Sequence, residues 1–333
     1  MKVLVTGGAG YIGSHLVDAL LKRGDEVLVV DNLSTGKIEN IRHLLGHPAF
    51  QFINDSILNE PLLERFVPAM DRIFHLAAAV GVRNVLQDPL AAINTNVRGT
   101  EVVLGLAFKY WKRLVLASTS EIYGKARHIP FREDDDRVLG TTGVARWSYS
   151  MSKAIDEHFA FAYAAKGLPV AIVRYFNSYG PRLDERGYGS VVANFIRQAL
   201  RDEPITVHGD GKQTRCFTYI DDTVAGTLLA AEAPRAVGEA FNIGSTRDQH
   251  PGRGQDHPAP GALQVPHRIR RVRQLLRRGI RGHAASGPGG GQGQAPPGLR
   301  AQGGPGDRPQ EDDRVVSDTL HPLTTVERVT CAG

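Results

Sequence analysis

The sequence predicts an α/β fold, a doubly wound parallel sheet followed by a smaller carboxyl-terminal lobe. Two observations support this prediction. Short apolar runs, such as KVLVT, EVLVV and LVLAS, alternate with segments of helical periodicity through residues 1–247, and this alternation is typical of parallel sheets covered by helices on both faces. A glycine-rich turn, GGAGYIG, separates the first apolar run from the first helical segment.

The first unit consists of a strand at residues 2–6, the glycine turn and the helical segment SHLVDALLKRG. Gly7, Gly10 and Gly13 allow a tight turn, close approach of the backbone to a pyrophosphate, and packing of the helix on the strand. The second strand is followed by Asp31, 18 residues after Gly13, near the spacing of a carboxylate that binds an adenosine ribose. An acid there repels a 2′-phosphate, so the unit predicts an NAD site rather than an NADP site. The alternative is a tight turn in some other α/β protein.

Tyr149 and Lys153 form a Tyr-x-x-x-Lys pair, YSMSK, within a predicted helix from about residue 147 to 166. Residues four apart lie on one face of a helix. The ammonium group favours the phenolate, so we expect the pKa of Tyr149 to lie below its usual value of about 10 and Tyr149 to act as a base. A nicotinamide cofactor would give that base a hydride acceptor. Such pairs also occur on helices without function, and the glycine turn upstream is what favours catalysis.

Composition limits the other classes of function. Of the 333 residues only two are cysteine, Cys216 and Cys331, so we expect a reducing cytoplasm rather than a disulfide framework. No apolar run reaches the roughly 18 residues that span a bilayer. No membrane segment is therefore expected, and because the chain starts directly with a strand we expect no signal peptide either. The 12 histidines are scattered, and no metal site is predicted.

The character of the chain changes at residue 248. Residues 1–247 hold 28 Lys and Arg against 27 Asp and Glu, whereas residues 248–333 hold 12 Arg, 8 acids, no Lys and no Phe, Tyr or Trp. Most of the net charge of +5 therefore belongs to the tail. Its arginine-rich segment 267–278 has no aromatic partner for stacking on bases, so no nucleic-acid partner is expected. Composition alone predicts that the tail is disordered.

A sharper hypothesis explains the tail as a translation in the +1 reading frame. Back-translated and read one base later, the segments that start at Asp248, Gly291 and Pro305 can encode helix-like sequences, in order and in one frame. Residues 248–333 would then be aberrant and the carboxyl-terminal lobe incomplete. We therefore expect weak NAD binding or aggregation, and poor activity. The alternative is a natural low-complexity tail.

Residues 1 to about 247 resemble the extended short-chain dehydrogenase/reductase family, and within it the NAD-dependent nucleotide-sugar epimerases, dehydratases and decarboxylases. The resemblance rests on TGGAGYIGSHL, DNLSTG, HLAA, NTNVRGT, STSEIYG, YSMSK, RYFNSYGPR and DGKQTRCFTYIDD, which occur in the family's order. It implies a Rossmann-type NAD-binding domain at 1–175 and the start of a nucleotide-sugar substrate lobe at 176–247. It also implies transient oxidation of a UDP-sugar at C4, and a homodimer formed through the helix that carries YSMSK.

The resemblance assigns roles to single residues. Tyr149 would take the proton of the C4 hydroxyl, Lys153 would hold the nicotinamide ribose and lower the pKa of Tyr149, and Thr119 would hydrogen-bond the same hydroxyl. The cofactor-binding residues that it implies are Gly7, Gly10, Tyr11, Ile12, Gly13, Asp31, Asn32, Asp55, Ala77, Ala78, Asn96, Tyr149 and Lys153. The substrate-binding residues that it implies are Asn177, Arg182, Asn194 and Arg215.

Glu121 separates the reactions within the family. The resemblance places a carboxylate here in decarboxylases and dehydratases, whereas simple 4-epimerases usually carry a small or neutral residue. Ser120 stands where dehydratases carry an Asp, which disfavours dehydration. UDP-glucose 4-epimerase-like chemistry is the leading interpretation and UDP-glucuronate decarboxylation is the alternative. A non-catalytic NAD-binding protein on the same fold is a third hypothesis, of a different class.

Overall fold

The fold is described from a computed structural model, which covers residues 1–126, 129–183, 191–207 and 215–244. The tail at 248–333, with its predicted disorder and its proposed reading-frame origin, lies outside the described residues.

A seven-stranded parallel sheet forms the centre of the fold. Its strands are β1 (Lys2–Thr6), β2 (Glu26–Val30), β3 (Phe50–Ile53), β4 (Arg72–His75), β5 (Arg113–Thr119), β6 (Val170–Tyr175) and β9 (Ala240–Ile243). Two further strands, β7 (Asn177–Tyr179) and β8 (Phe217–Tyr219), form a separate parallel pair.

The helices of the described ranges are α1 (Tyr11–Lys22), α2 (Glu60–Phe66), α3 (Val82–Gln87), α4 (Pro89–Ile93), α5 (Gly99–Lys109), α6 (Arg146–Ala165), α7 (Val191–Leu200) and α8 (Ile220–Glu232). A π-helical turn at Asn94–Arg98 joins α4 to α5. Short 3-10 turns lie at Ile38–Asn40, Arg42–Leu44, Val67–Ala69, Ser120–Tyr123 and Pro234–Ala236. None of the helices within these ranges combines the length and the apolar character needed to cross a bilayer.

Local sequence fixes several helix starts. Asn59 caps α2 by accepting a hydrogen bond from the Leu62 N–H at 3.3 Å, and Asp88 caps α4 by accepting one from the Ala91 N–H at 2.9 Å. A proline follows each cap within the first two helical positions, where its missing N–H costs nothing.

Alternate residues of the central strands pack into two apolar cores, one on each face of the sheet. In β1, Val3 and Val5 pack into the core that contains α1 and α8, whereas Leu4 packs into the core that contains α2 and α5. Successive side chains of a strand point to opposite faces. A parallel sheet that is covered on both faces therefore needs apolar residues at every position, as KVLVT and EVLVV supply.

The strand order is β3-β2-β1-β4-β5-β6-β9. The chain builds outward from β1 through β2 to β3, then crosses back and places β4 on the other side of β1. The connections after β1 and β4 therefore leave the sheet in opposite directions, and a crevice opens between them at the carboxyl ends of the strands. The predicted doubly wound α/β fold is confirmed.

The proposed division at residue 175 stays a prediction. β6 ends at Tyr175, and β9, from the segment assigned to the second lobe, completes the main sheet by pairing with β6. Because β9 joins this sheet, part of residues 176–247 belongs structurally to the NAD-binding layer.

Candidate active site

The glycine turn between β1 and α1 has no room for side chains. Gly7 has a φ of +75°, in the left-handed region that favours glycine, and a Cβ there would lie 2.6 Å from the backbone nitrogen of Ala77. A Cβ on Gly13 would lie 2.1 Å from the carbonyl oxygen of Gly7. The turn therefore packs directly on the loop after β4 and on the first turn of α1, which carries Tyr11 and Ile12.

The start of α1 is suited to an anion. Gly10 is the N-cap residue and has no side chain to cap the helix. The first amide groups of a helix lack partners within the helix and carry the positive end of its dipole. These amides stand at the crevice beside β1, so they can bind a pyrophosphate there.

Asp31 is buried directly after β2. Its Oδ2 accepts a hydrogen bond from the Ala9 N–H at 2.9 Å, and its Oδ1 accepts one from the Leu33 N–H at 2.8 Å. Burial raises the pKa of Asp31, and these two hydrogen bonds oppose the shift. A Cβ on Gly36 would come within 3.0 Å of both carboxylate oxygens, so glycine keeps that side of the carboxylate open. Each oxygen retains acceptor capacity for ribose hydroxyls.

Asn32 and Asp55 follow β2 and β3 at the same edge of the sheet. Asn32 Oδ1 accepts a hydrogen bond from the Ser34 N–H at 3.1 Å. The Asp55 carboxylate accepts from the Ser56 N–H at 2.6 Å and from Asn59 Nδ2 at 3.0 Å. Both side chains are thereby held at the carboxyl ends of their strands.

Asn96 ties the loop after β4, with Ala77 and Ala78, to α6. Its Oδ1 accepts a hydrogen bond from the Ala79 N–H at 2.7 Å, and its Nδ2 donates to Ser152 Oγ at 3.0 Å and to the Ala79 carbonyl at 3.3 Å. Asn96 is buried in the π-helical turn. Its amide therefore shapes one wall of the crevice through the loop.

β5 and α6 bring the predicted catalytic residues together. β5 ends at Thr119, the following 3-10 turn carries Glu121, and α6 carries Tyr149 and Lys153. Ser150 Oγ donates to the Glu121 carbonyl at 2.8 Å and thereby fixes this turn to the helix. A cavity of about 20 Å³ lies between them, lined by Gly81, Val85, Glu121, Arg146 and Tyr149.

Glu121 keeps contact with solvent at the mouth of this cavity, although the surrounding protein desolvates its carboxyl group. This desolvation raises the pKa of Glu121, and the positive charge of Arg146 lowers it. A carboxyl group with a raised pKa can donate as well as accept a proton closer to neutral pH.

The expected effect of Lys153 on Tyr149 is wrong for this structure. Burial raises the pKa of Tyr149, as do the charges of Glu121 and Asp156, and only the Thr119 hydroxyl opposes the shift. Lys153 Nζ donates to Asp156 Oδ2 at 3.0 Å, and both side chains are almost fully buried. The carboxylate of Asp156 therefore balances the ammonium charge that was expected to act on the phenol.

His75, at the end of β4, is buried close enough to Lys153 for its charge to act on the imidazole. Its Nδ1 is 2.7 Å from Thr6 Oγ1, and its Nε2 is 3.0 Å from Thr100 Oγ1. Burial, and then the positive charge of Lys153, lower the pKa of His75 to about 3. The imidazole is thus neutral and links β1, β4 and α5 through two threonine hydroxyls.

A second buried network supports the turn that carries Glu121. Arg174 Nη2 and Nε donate to the two carboxylate oxygens of Glu157 at 2.7 and 2.9 Å, and Arg174 Nη1 donates to Tyr123 Oη at 2.7 Å. Tyr123 in turn donates to Asn242 Oδ1 at 2.7 Å, and Ser118 Oγ donates to Glu157 at 2.5 Å. The network connects β5, β6, β9 and α6 directly behind the 3-10 turn that carries Glu121, which we call the catalytic turn.

Sequence reasoning missed these supporting residues, although its motifs contain them. Asp156 and Glu157 stand three and four residues after Lys153, His75 opens HLAA, and Arg174 opens RYFNSYGPR. The signal that could have identified them is that charged or titratable residues stand within these motifs or directly after them.

The four predicted substrate-binding residues lie on separate segments. Asn177 is exposed on β7, and its Nδ2 donates to the Cys216 carbonyl at 3.1 Å. Arg182 has a φ of +64° and forms an ion pair with Asp18 of α1 at 2.7 Å. Asn194 lies on α7, and Arg215 comes two residues before β8. Their roles in substrate binding stay predictions.

Comparison with known proteins gives the family. The sequence profile of the NAD dependent epimerase/dehydratase family matches residues 3–244. The chain belongs to this family. A UDP-N-acetyl-alpha-D-glucosaminuronate decarboxylase of Bacillus cytotoxicus is 46% identical over 244 residues, 73% of this chain and 75% of that protein. UDP-glucuronic acid decarboxylase 1 of Arabidopsis thaliana is 43% identical over 248 residues, 74% of this chain. The chain spans about half of that plant relative, 54% of its length.

Among solved structures of the epimerase/dehydratase family, a UDP-glucuronic acid 4-epimerase from Bacillus cereus, in complex with UDP-glucuronic acid and NAD, superposes with a TM-score of 0.67. It is 36% identical, and the match covers 74% of this chain and 78% of that chain. Members of this family are NAD-dependent enzymes. The predictions that the chain belongs to an enzyme family and that its cofactor is NAD are therefore confirmed. Within the described ranges, no group of three or more His, Cys, Asp and Glu side chains is placed to hold a metal ion.

The residues fit NAD. The uncapped start of α1 suits the pyrophosphate, and the Asp31 carboxylate, left open beside Gly36, suits the adenosine ribose.

Proposed function

We propose that the chain oxidises a UDP-sugar at C4 with NAD, that the sugar is a uronate, and that it then loses CO₂. The observation that carries the proposal is the cavity that Glu121 shares with Tyr149. The Bacillus cytotoxicus and Arabidopsis thaliana relatives, both named as decarboxylases of nucleotide uronates, support the choice of decarboxylation over epimerisation.

Tyr149 would accept the proton of the C4 hydroxyl, and Thr119, at the end of β5, would hydrogen-bond the same hydroxyl. The phenol is protonated when its pKa is raised, so it must lose its proton before it can act. When bound, NAD supplies a hydride acceptor and a positively charged ring that favours the phenolate. Lys153, held by Asp156, would contact the nicotinamide ribose.

Glu121 would act at C5. A ketone at C4 turns the C5 carboxylate into a β-keto acid, which loses CO₂ and leaves its electron pair on C5. The raised pKa of Glu121 favours a protonated carboxyl group that donates its proton to that carbon. The C4 ketone would then take back the hydride and O4 would take back its proton from Tyr149, which regenerates NAD and gives a UDP-pentose. The structure of the turn, fixed by Ser150, keeps Glu121 beside the cavity during this step.

The second candidate is 4-epimerisation without loss of carbon, as in UDP-glucose 4-epimerases. The similarity to the Bacillus cereus UDP-glucuronic acid 4-epimerase favours it. In this case the C4 ketone would take back the hydride on its opposite face, Tyr149 would return the proton to O4, and Glu121 would have no proton to deliver to C5.

A product panel separates the candidates. The chain with NAD is incubated with UDP-glucuronate, UDP-glucose and UDP-galactose, and the products are read by proton NMR. We expect CO₂ and a UDP-pentose from UDP-glucuronate, and no conversion by Tyr149→Phe. Glu121→Gln should reduce CO₂ release by about 10²-fold or more, the contribution of one general acid. Inversion at C4 that is insensitive to Glu121→Gln would favour epimerisation. NAD binding without any turnover, both by this chain and by a chain with the restored reading frame, would favour the non-catalytic protein.

We also propose a homodimer in the cytoplasm, formed through α6. Met151 and Ile155 stand one turn apart on this helix and are 41% and 38% exposed. Leu90, on the adjoining α4, is 69% exposed. Sedimentation of Met151→Glu against wild type tests this: we expect the variant to be a monomer, and an unchanged mass would contradict the interface.

A further inference from the structure

Arg146 is the first residue of α6 and lies three residues before Tyr149. Residues three apart share a face of a helix, and the two side chains line the same cavity as Glu121. Arg146 therefore brings a positive charge to the position where the predicted base and acid meet.

The guanidinium group is held by an aromatic platform. Its central carbon lies 5.4 Å from the centroid of the Trp147 ring, within the range of a cation–π contact. The indole ring is itself fixed, because a Cβ on Gly140 would lie 2.2 Å from its Nε1, and Lys125 Nζ lies 5.5 Å from its centroid. Trp147 thus orients the arginine at the cavity mouth.

The hydrogen-bond donors of Arg146 are uncommitted. Among the described residues it forms no ion pair and donates no hydrogen bond, in contrast to Arg174 and Arg182. The positive charge of Arg146 lowers the pKa of the Glu121 carboxyl group. A guanidinium group presents a planar fork of donors that matches a carboxylate.

We propose that Arg146 binds the carboxylate on the sugar ring and makes the site prefer a nucleotide uronate to a neutral nucleotide hexose. The inference rests on the proposed function. C5, which bears the carboxylate of a uronate, is bonded to C4, whose hydroxyl meets Tyr149, so a group that binds this carboxylate must stand close to Tyr149. The hydroxymethyl group of a neutral hexose carries no charge for the arginine to pair with.

The test measures binding rather than turnover. The full chain with NAD, carrying Tyr149→Phe to block reaction, is titrated by calorimetry with UDP-glucuronate, UDP-glucose and UDP. We expect UDP-glucuronate to bind about tenfold more tightly than UDP-glucose, the effect of one charge-assisted contact at an exposed site. Arg146→Gln should remove this preference by weakening UDP-glucuronate alone, and Arg146→Lys should restore part of it.

Arg65→Gln is the matched control, because Arg65 is also exposed and stacks on an aromatic ring, that of Phe66, away from the cavity. It should leave all three affinities unchanged. A preference that survives Arg146→Gln, or equal affinities of the parent for both sugars, would overturn the assignment of Arg146 and leave the proposed nucleotide-sugar chemistry in place. If none of the three ligands binds, either to this chain or to a chain with the restored reading frame, the proposed function is overturned instead.

Discussion

At the scale of single residues, His75 couples the stability of the fold to pH. Its folded pKa of about 3 lies well below its unfolded value of about 6.5. Between these two pH values the unfolded chain binds one more proton than the folded chain, so stability rises with pH across this window. Through His75 alone, acidification from about pH 6.5 should therefore cost on the order of 1 kcal/mol per pH unit, and this contribution should not grow further below about pH 3.

His75→Gln tests this pH dependence, because it removes the titrating group and keeps polar atoms for Thr6 and Thr100. Urea unfolding at pH 7, 6, 5 and 4 should show a smaller loss of stability in the variant than in wild type. His47→Gln, at an exposed position, should follow wild type. Parallel curves for wild type and His75→Gln would contradict the prediction.

The sequence was sufficient to identify the residues of the Tyr-x-x-x-Lys pair but not their electrostatics. The spacing placed Tyr149 and Lys153 on one face of α6. The direction of the pKa shift of Tyr149 depends on burial and on Asp156, whose carboxylate takes up the Lys153 ammonium. Spacing shows that Asp156 is one turn from Lys153, but it does not show that both are withdrawn from water.

At the scale of elements, the glycine turn depends on the missing Cβ of Gly13. A Cβ there would meet the Gly7 carbonyl oxygen at 2.1 Å, and the obstacle is backbone rather than a movable side chain. We expect Gly13→Ala to lower the free energy of unfolding by about 2 kcal/mol or more and to abolish NAD binding, because the turn must shift. Gly143→Ala is the control, since nothing lies within 4 Å of a Cβ at that position. Thermal unfolding and NAD titration measure both effects, and equal behaviour of the two variants would contradict the argument.

The ion pair between Glu157 of α6 and Arg174 of β6 offers a second test at this scale. Glu157→Leu leaves a buried guanidinium group without its carboxylate, which should cost about 3–5 kcal/mol. The double variant Glu157→Leu, Arg174→Met should recover a large part of that loss, because no buried charge stays unpaired. Chemical denaturation of the four proteins gives the coupling energy. Additive losses would show that the pair acts as two independent groups.

The sequence predicted the elements better than the contacts between them. The alternation of apolar runs identified the strands, and the helix expected at 147–166 is α6, Arg146–Ala165. The network around Arg174 joins residues from β5, β6, β9 and α6, which lie up to 124 positions apart, from Ser118 to Asn242. No local pattern encodes such contacts, because they depend on how the strands are ordered in the sheet.

At the scale of the whole molecule, the family match ends at residue 244, close to the change of composition at residue 248. A quarter of the length of the Bacillus cytotoxicus relative lies outside its match to this chain. We predict that sequencing the gene across the codons for Ser245 to His250 will reveal an extra or a missing base. A chain with the restored frame should bind NAD more tightly than the 333-residue chain. An intact frame with early stop codons one base on would contradict the hypothesis.

The position of β9 at the edge of the main sheet determines when the catalytic turn is complete during synthesis. The chain emerges from the ribosome with its amino terminus first. Tyr123 and Arg174 therefore emerge long before Asn242. Until Asn242 arrives, Tyr123 lacks the acceptor for its hydroxyl hydrogen. A nascent chain can thus form the cofactor crevice early, whereas the support behind Glu121 forms only when β9 docks on β6.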